Sequence, residues 1–168
     1  MQLLIIRHAI AVPHGTPGIP DERRPLTPEG EARFRECARG IAALVERPDA
    51  LLTSPWLRAR QTAEIAAAAW GRSELVESES LAGGSFEEQA EVIDRYPKDA
   101  TVAVVGHEPH VSALLARILG CRDEDRLAFK KGGAALVDVA GRLADGGSLV
   151  FFLPPRVLKR LGGSGERT

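Results

Sequence analysis

Two runs, Leu3-Leu4-Ile5-Ile6 and Val102-Ala103-Val104-Val105, are apolar without interruption or alternation. A strand of that kind has no wet face, so it belongs in the middle of a sheet covered by helices on both sides. Strands are therefore expected over residues 2–6 and 101–105, and shorter apolar runs predict others over 50–53, 74–76, 134–139 and 148–153. Helix-period segments alternate with them. The pattern predicts a three-layer α/β/α fold with a mixed, mostly parallel central sheet of about six strands.

Thr27-Pro28-Glu29 opens the first helix, with threonine as N-cap and proline at the first helical position. Its apolar stripe is Phe34, Cys37, Ala38, Ile41, Leu44 and Val45. A second helix is expected over 55–70, after Ser54 and Pro55, and a third over 85–96, stopped by Pro97. The fourth carries Val111, Leu114, Leu115, Ile118 and Leu119, and is closed by Gly120. Between the first strand and first helix, residues 11–25 hold four prolines and two glycines, which predicts a long irregular loop. A single domain is expected over residues 1–161, with 162–168 as a flexible tail.

Composition excludes several classes of function. With 22 Lys and Arg against 23 Asp and Glu the net charge is -1, which supplies no basic field for nucleic acid. About five apolar residues precede Arg7, too few for a signal-peptide core or a membrane span. Cys37 and Cys121 lack the spacing of zinc or redox motifs, and two free thiols suit a reducing, cytoplasmic setting.

The four histidines fall in two clusters, His8 with His14 and His107 with His110. Arg7 and His8 follow the first apolar strand directly, and Gly106-His107 follow the run VAVV. The carboxyl edge of an open α/β sheet is where ligands bind, so parallel neighbouring strands would bring His8 and His107 together. In Ser54-Pro55-Trp56-Leu57-Arg58-Ala59-Arg60-Gln61-Thr62-Ala63, Arg58 lies in the first turn of a helix that leaves the same edge. A helix start and a guanidinium fork suit a tetrahedral dianion. A neutral imidazole held at one nitrogen is a competent nucleophile for phosphoryl transfer, with Arg7, Arg58 and a protonated His107 stabilising the charge. Such a site calls for no metal or other cofactor. His107 and His110 lack a third ligand for zinc, and Pro109 stands between them. Arg23, Arg24, Lys130 and Lys131 are candidates to flank the groove, while His14 and His110 are expected to stand outside the chemistry.

Arg7-His8-Ala9 after the first strand, SPWLRARQTA at the end of the second, and Gly106-His107 after a central strand resemble the histidine phosphatase superfamily, whose fold is phosphoglycerate mutase-like. Together with the short chain, the stretch Arg24-Pro25-Leu26-Thr27-Pro28-Glu29-Gly30 is most similar to SixA-type phosphohistidine phosphatases. The resemblance implies that His8 is the phosphorylated nucleophile. It makes Arg7, Arg58 and His107 the rest of the phosphate pocket, with Arg24 and Lys130 as further candidate binders.

One departure bears on the substrate. Related phosphoester enzymes carry a glutamate in a Leu-x-Glu pattern after the third strand, where this chain has Leu81-Ala82-Gly83. A positioned acid contributes about 10²–10⁴-fold when the leaving group is a poor one. Its loss is tolerable for phosphohistidine, so a phosphorylated protein, of histidine phosphotransfer type, is the expected substrate. Two alternatives stand beside it: a phosphoester or polyphosphate phosphatase using Glu79 as the acid, with Glu87 also close, and a non-catalytic phosphohistidine-binding module.

Overall fold

A computed structural model describes residues 1–71 and 74–163. The elements run β1 (Gln2–Arg7), α1 (Pro28–Leu44), β2 (Ala50–Thr53), α2 (Leu57–Ala69), β3 (Leu75–Glu77), α3 (Ser80–Gly83), α4 (Phe86–Ile93), β4 (Thr101–Gly106), α5 (His110–Leu119), β5 (Ala134–Val139), β6 (Gly147–Leu153) and α6 (Pro155–Gly162). The sheet order is β3-β2-β4-β1-β5-β6. Strands β3, β2, β4 and β1 are mutually parallel, β5 pairs antiparallel with β1, and β6 pairs antiparallel with β5. The two uninterrupted apolar runs are the adjacent central strands β4 and β1.

Alternation along β1 divides the core. Leu4 and Ile6 join a cluster with Phe34, Cys37 and Ile41 of α1, Ala59 and Ala63 of α2, and Leu158 of α6. Leu3 and Ile5 point the other way, to Ile93 of α4 and Leu114, Leu115 and Ile118 of α5. All these side chains are buried. Both faces of the middle strands are therefore dry, as their unbroken apolar sequence requires.

The first helix begins as its cap predicts, with Thr27 Oγ1 accepting the Gly30 N–H at 2.9 Å. Leu44 leaves the expected stripe, 43% exposed, because the helix ends there and Val45 turns extended into the buried position. The second helix starts two residues later than Ser54-Pro55 suggested. Ser54 Oγ is engaged elsewhere, and Trp56 occupies the cap position with no side-chain cap. Ser85 and Glu88 form a reciprocal capping box at the start of α4, and α4 ends at Ile93, three residues short of Tyr96.

Two helices were not legible beforehand. The four-residue α3 is too short to show a period, and α6 follows two prolines that read as an end. Pro155 instead sits in the first turn of α6, where its missing N–H costs nothing. Helix α6 docks on α1 through backbone: a Cβ at Gly40 would lie 1.9 Å from the Leu158 carbonyl oxygen, so only glycine permits the approach. Of the expected tail, Gly162 closes this helix, and residues 164–168 lie outside the described residues.

Candidate active site

The parallel register pairs Arg7 with Gly106, so the residues that follow, His8 and His107, leave the sheet side by side. Their rings are 5.1 Å apart between centroids, and both side chains are buried. His8 is fixed at one end: its Nδ1–H donates to the Ala9 carbonyl at 2.7 Å. That bond assigns the tautomer and leaves the Nε2 lone pair facing the site, where Arg58 Nε donates to it at 3.2 Å. Burial, followed by the charges of His107, Arg58 and Arg7, holds the His8 imidazole down at about 3. It is neutral at physiological pH and available for attack.

Arg58 is itself buried and held from several sides. Its guanidinium lies over the Trp56 ring, 4.7 Å from the centroid. Nη1 donates to the Asp21 carbonyl at 2.6 Å, and Nη2 lies 3.3 Å from Asp21 Oδ2. Asp21 is also met at Oδ1 by His14 Nδ1 at 2.7 Å and Arg24 Nε at 2.6 Å. Desolvation would raise the Asp21 carboxyl, but these hydrogen bonds and the neighbouring cations overcome it and hold the group at about 2. Arg24 also donates to the Val12 carbonyl at 2.7 Å, so it organises the long loop and reaches Arg58 through Asp21. Thr62 ties the same turn to His8's neighbour. Its hydroxyl donates to the Arg58 carbonyl at 2.7 Å and accepts the Ala9 N–H at 3.0 Å.

Across the site, His107 Nε2 bonds Ser54 Oγ at 2.8 Å and the ring packs on Trp56, centroids 5.0 Å apart. Arg7 donates through Nη1 to the Phe129 carbonyl at 2.5 Å, while the Phe129 N–H donates to Glu108 Oε1 at 2.6 Å. Glu108 thus holds the residue whose carbonyl orients Arg7. Two buried polar atoms have no partner among the described residues, Arg7 Nε and His107 Nδ1. Each such group costs about 1–3 kcal/mol if left unpaired, and an oxyanion is the ligand that both would accept.

His107 departs from the expected protonated form. Burial, then the charges of Arg58 and His110, depress it to about 3, so it too is neutral in the unliganded protein. A bound dianion is expected to reverse this. At ~4 Å and an effective dielectric of about 20 each negative charge is worth about 4 kcal/mol. The depression from 6.5 to about 3 amounts to about 5 kcal/mol. Binding of tungstate at about pH 8, where free histidine is neutral, is therefore expected to take up close to one proton per site. Calorimetry in buffers of different ionisation enthalpy measures this, and no uptake would contradict the assignment.

The remaining candidates sit farther out. Lys130 is exposed and makes no side-chain hydrogen bond or ion pair among the described residues. Glu79 and Glu87 are exposed as well. His110 begins α5 with its Nε2 3.7 Å from where a Gly83 Cβ would stand. Among the described residues no group of three or more His, Cys, Asp or Glu is placed to hold a metal ion. Sequence reasoning missed Asp21, Ser54, Trp56, Thr62 and Glu108 as supports of the site. Only Thr62 carried a signal, its i+4 spacing from Arg58 on one helix face.

A neutral, oriented imidazole among cations at the carboxyl edge of a mixed α/β sheet defines a phosphatase that works through a histidine. Residues 3–99 match the family model of the histidine phosphatase superfamily, branch 1. The chain is 35% identical over 136 residues to an uncharacterized protein of Picosynechococcus sp., a match covering 79% of this chain and 82% of the other. The structure of a protein histidine phosphatase SixA complexed with tungstate superposes with a TM-score of 0.81 at 25% identity, covering 94% and 99% of the two chains. A candidate phosphohistidine phosphatase SixA from Agrobacterium tumefaciens gives 0.75 at 27% identity, covering 92% and 97%. The chain belongs to the histidine phosphatase superfamily. His8 and Arg58 lie inside the span matched by the family model, and His107 lies beyond it, brought in by the β1–β4 pairing.

Proposed function

We propose that the protein removes phosphate from histidine on a signalling or carrier protein, a domain of histidine phosphotransfer type, through a covalent phospho-His8 intermediate. The observation that carries this reading is the neutral His8, anchored at Nδ1 with Nε2 directed at the site. Nε2 attacks phosphorus while the P–N bond to the substrate imidazole breaks, and that imidazole departs with its proton. Water then attacks phospho-His8, releasing inorganic phosphate and restoring the free ring. Arg58 shifts its Nε–H from His8 to a phosphate oxygen. Arg7 and the newly protonated His107 meet the others, so these cations do the electrostatic work without a metal.

The leaving-group side supports phosphohistidine over phosphoesters. Glu108 is committed to Ser112 and Phe129, Glu79 and Glu87 are exposed, and position 83 has no side chain. The likeness to SixA structures supports the same substrate class. Both cysteines are free, and no helix among the described residues is long and apolar enough to cross a membrane. These features favour a cytoplasmic setting with no membrane partner, and a net charge of -1 supplies no basic field for nucleic acid. Residues 1–161 are proposed as the working domain.

Turnover of a phosphohistidine protein is expected to exceed that of a phosphoester panel by orders of magnitude; the reverse order would refute the substrate class. A Cβ at Gly83 meets nothing closer than His110 Nε2 at 3.7 Å, so the backbone there accommodates a Cβ. Gly83→Glu is expected to raise phosphoester hydrolysis about tenfold or more, with little effect on phosphohistidine.

A further inference from the structure

A second cavity, of about 430 Å³, opens between α1 and α6, and none of Arg7, His8, Arg58 or His107 lines it. Its apolar wall is built from Ile10, Phe34, Cys37 and Pro155. Cys37 belongs to that wall as an inert group: burial raises its thiol to about 11, and Sγ–H donates weakly to the Pro155 carbonyl at 3.6 Å. The charged lining is of one sign, Arg33, Lys131, Arg156, Lys159 and Arg160, with no carboxylate. Arg33 and Lys159 are paired with Glu29 and Glu36, neither of which lines the cavity. Lys131 and Arg156 make no ion pair among the described residues and are exposed. On a chain whose net charge is -1, this is a marked local asymmetry.

We propose that this cavity is a binding site, distinct from the phosphate pocket, for a small amphiphilic anion: an apolar body ending in a carboxylate, phosphate or sulfonate. Volume and lining both argue for it. Pockets of about 300–1,000 Å³ hold small molecules, with apolar walls for affinity and a few polar groups for orientation. Here every charged group at the wall is a cation, so a neutral or cationic ligand would gain nothing from them. The site also touches the catalytic apparatus through the backbone. Ala9 and Gly132 line the cavity. The Ala9 carbonyl holds His8 Nδ1, and the Gly132 N–H donates to the carbonyls of Arg7 and His8 at 3.1 and 3.2 Å. An occupant therefore rests on the two segments that position the nucleophile.

The test uses the full chain and 1-anilinonaphthalene-8-sulfonate as probe, titrated by fluorescence and by amide NMR with the phosphate pocket saturated by tungstate. The expected result is one-to-one binding that tungstate does not displace, with amide shifts centred on Ala9, Ile10, Phe34 and Gly132. Together, Lys131→Glu and Arg156→Glu should weaken binding about tenfold or more, whereas Arg122→Glu, away from the cavity, should change it less than about twofold. The neutral analogue N-phenyl-1-naphthylamine should bind at least about tenfold more weakly. Displacement by tungstate, shifts centred elsewhere, or indifference to the charge reversals would overturn the proposal. So would displacement by an acidic peptide without apolar side chains, which would point to a protein partner held by charge alone. None of these outcomes depends on which phosphate compound the enzyme hydrolyses.

Discussion

Replacing His8 by alanine is expected to reduce turnover by at least about 10⁴-fold, on the scale seen when a covalent nucleophile is removed. The geometry leaves no substitute. His107 is the nearest other imidazole, but its Nε2 is bonded to Ser54 and its ring is wedged against Trp56, so it cannot advance on phosphorus without breaking both contacts. The measurement pairs steady-state turnover with trapping of labelled phosphate in an alkaline denaturing quench. The native chain should retain label in a bond stable to alkali and labile to acid, as for a phosphoramidate, and His8→Ala should retain none. Label persisting in the variant, or activity within an order of magnitude of native, would assign the nucleophile elsewhere. A non-catalytic binding module would give no label in either protein, which separates that alternative as well.

Arg58→Ala should lower kcat by about 10²–10³-fold, the usual loss when a preorganised donor to developing charge is deleted. Three properties of this side chain argue for an effect of that size. It is buried, so its charge acts in a poorly screened setting. It is held by Asp21 and Trp56, so it pays little reorganisation on binding. Its Nε already touches His8, the proposed nucleophile, so one small shift would carry the hydrogen bond from His8 to phosphate. Arg58→Lys tests the geometry rather than the charge. Lysine has no planar fork to hold Asp21 and reach the site together, so it should restore less than about a tenth of the lost activity. Full rescue by lysine would reduce Arg58 to a point charge.

The positions at the strand ends were legible because each depends on a local pattern and one topological rule. Arg7 and His8 end an unbroken apolar run, His107 ends another, and Arg58 opens a helix from the same edge. Supports contributed by irregular segments were not legible. Asp21 opens a single 3-10 turn, Asp21–Arg23, inside the long loop, 37 residues from the arginine it holds, and nothing in its neighbours announces the partner. Glu108 stands beside His107 in the chain, yet its role passes through the backbone of Phe129, 21 residues away. Helix α6 was missed because Pro154-Pro155 is ambiguous, ending one element and pre-setting the first turn of the next.

By itself the sequence determined the layered sheet, its dry central strands and the residues delivered to the sheet's carboxyl edge, since alternation, helical period and caps are properties of neighbouring residues. Only the tertiary structure decided the protonation of His8 and His107. Both would titrate near 6.5 in an unfolded chain, and both are held neutral to about 3 by burial and by cations that distant segments bring to them. Desolvation has no sequence signature, because it depends on everything packed around the ring and not on the ring's neighbours in the chain.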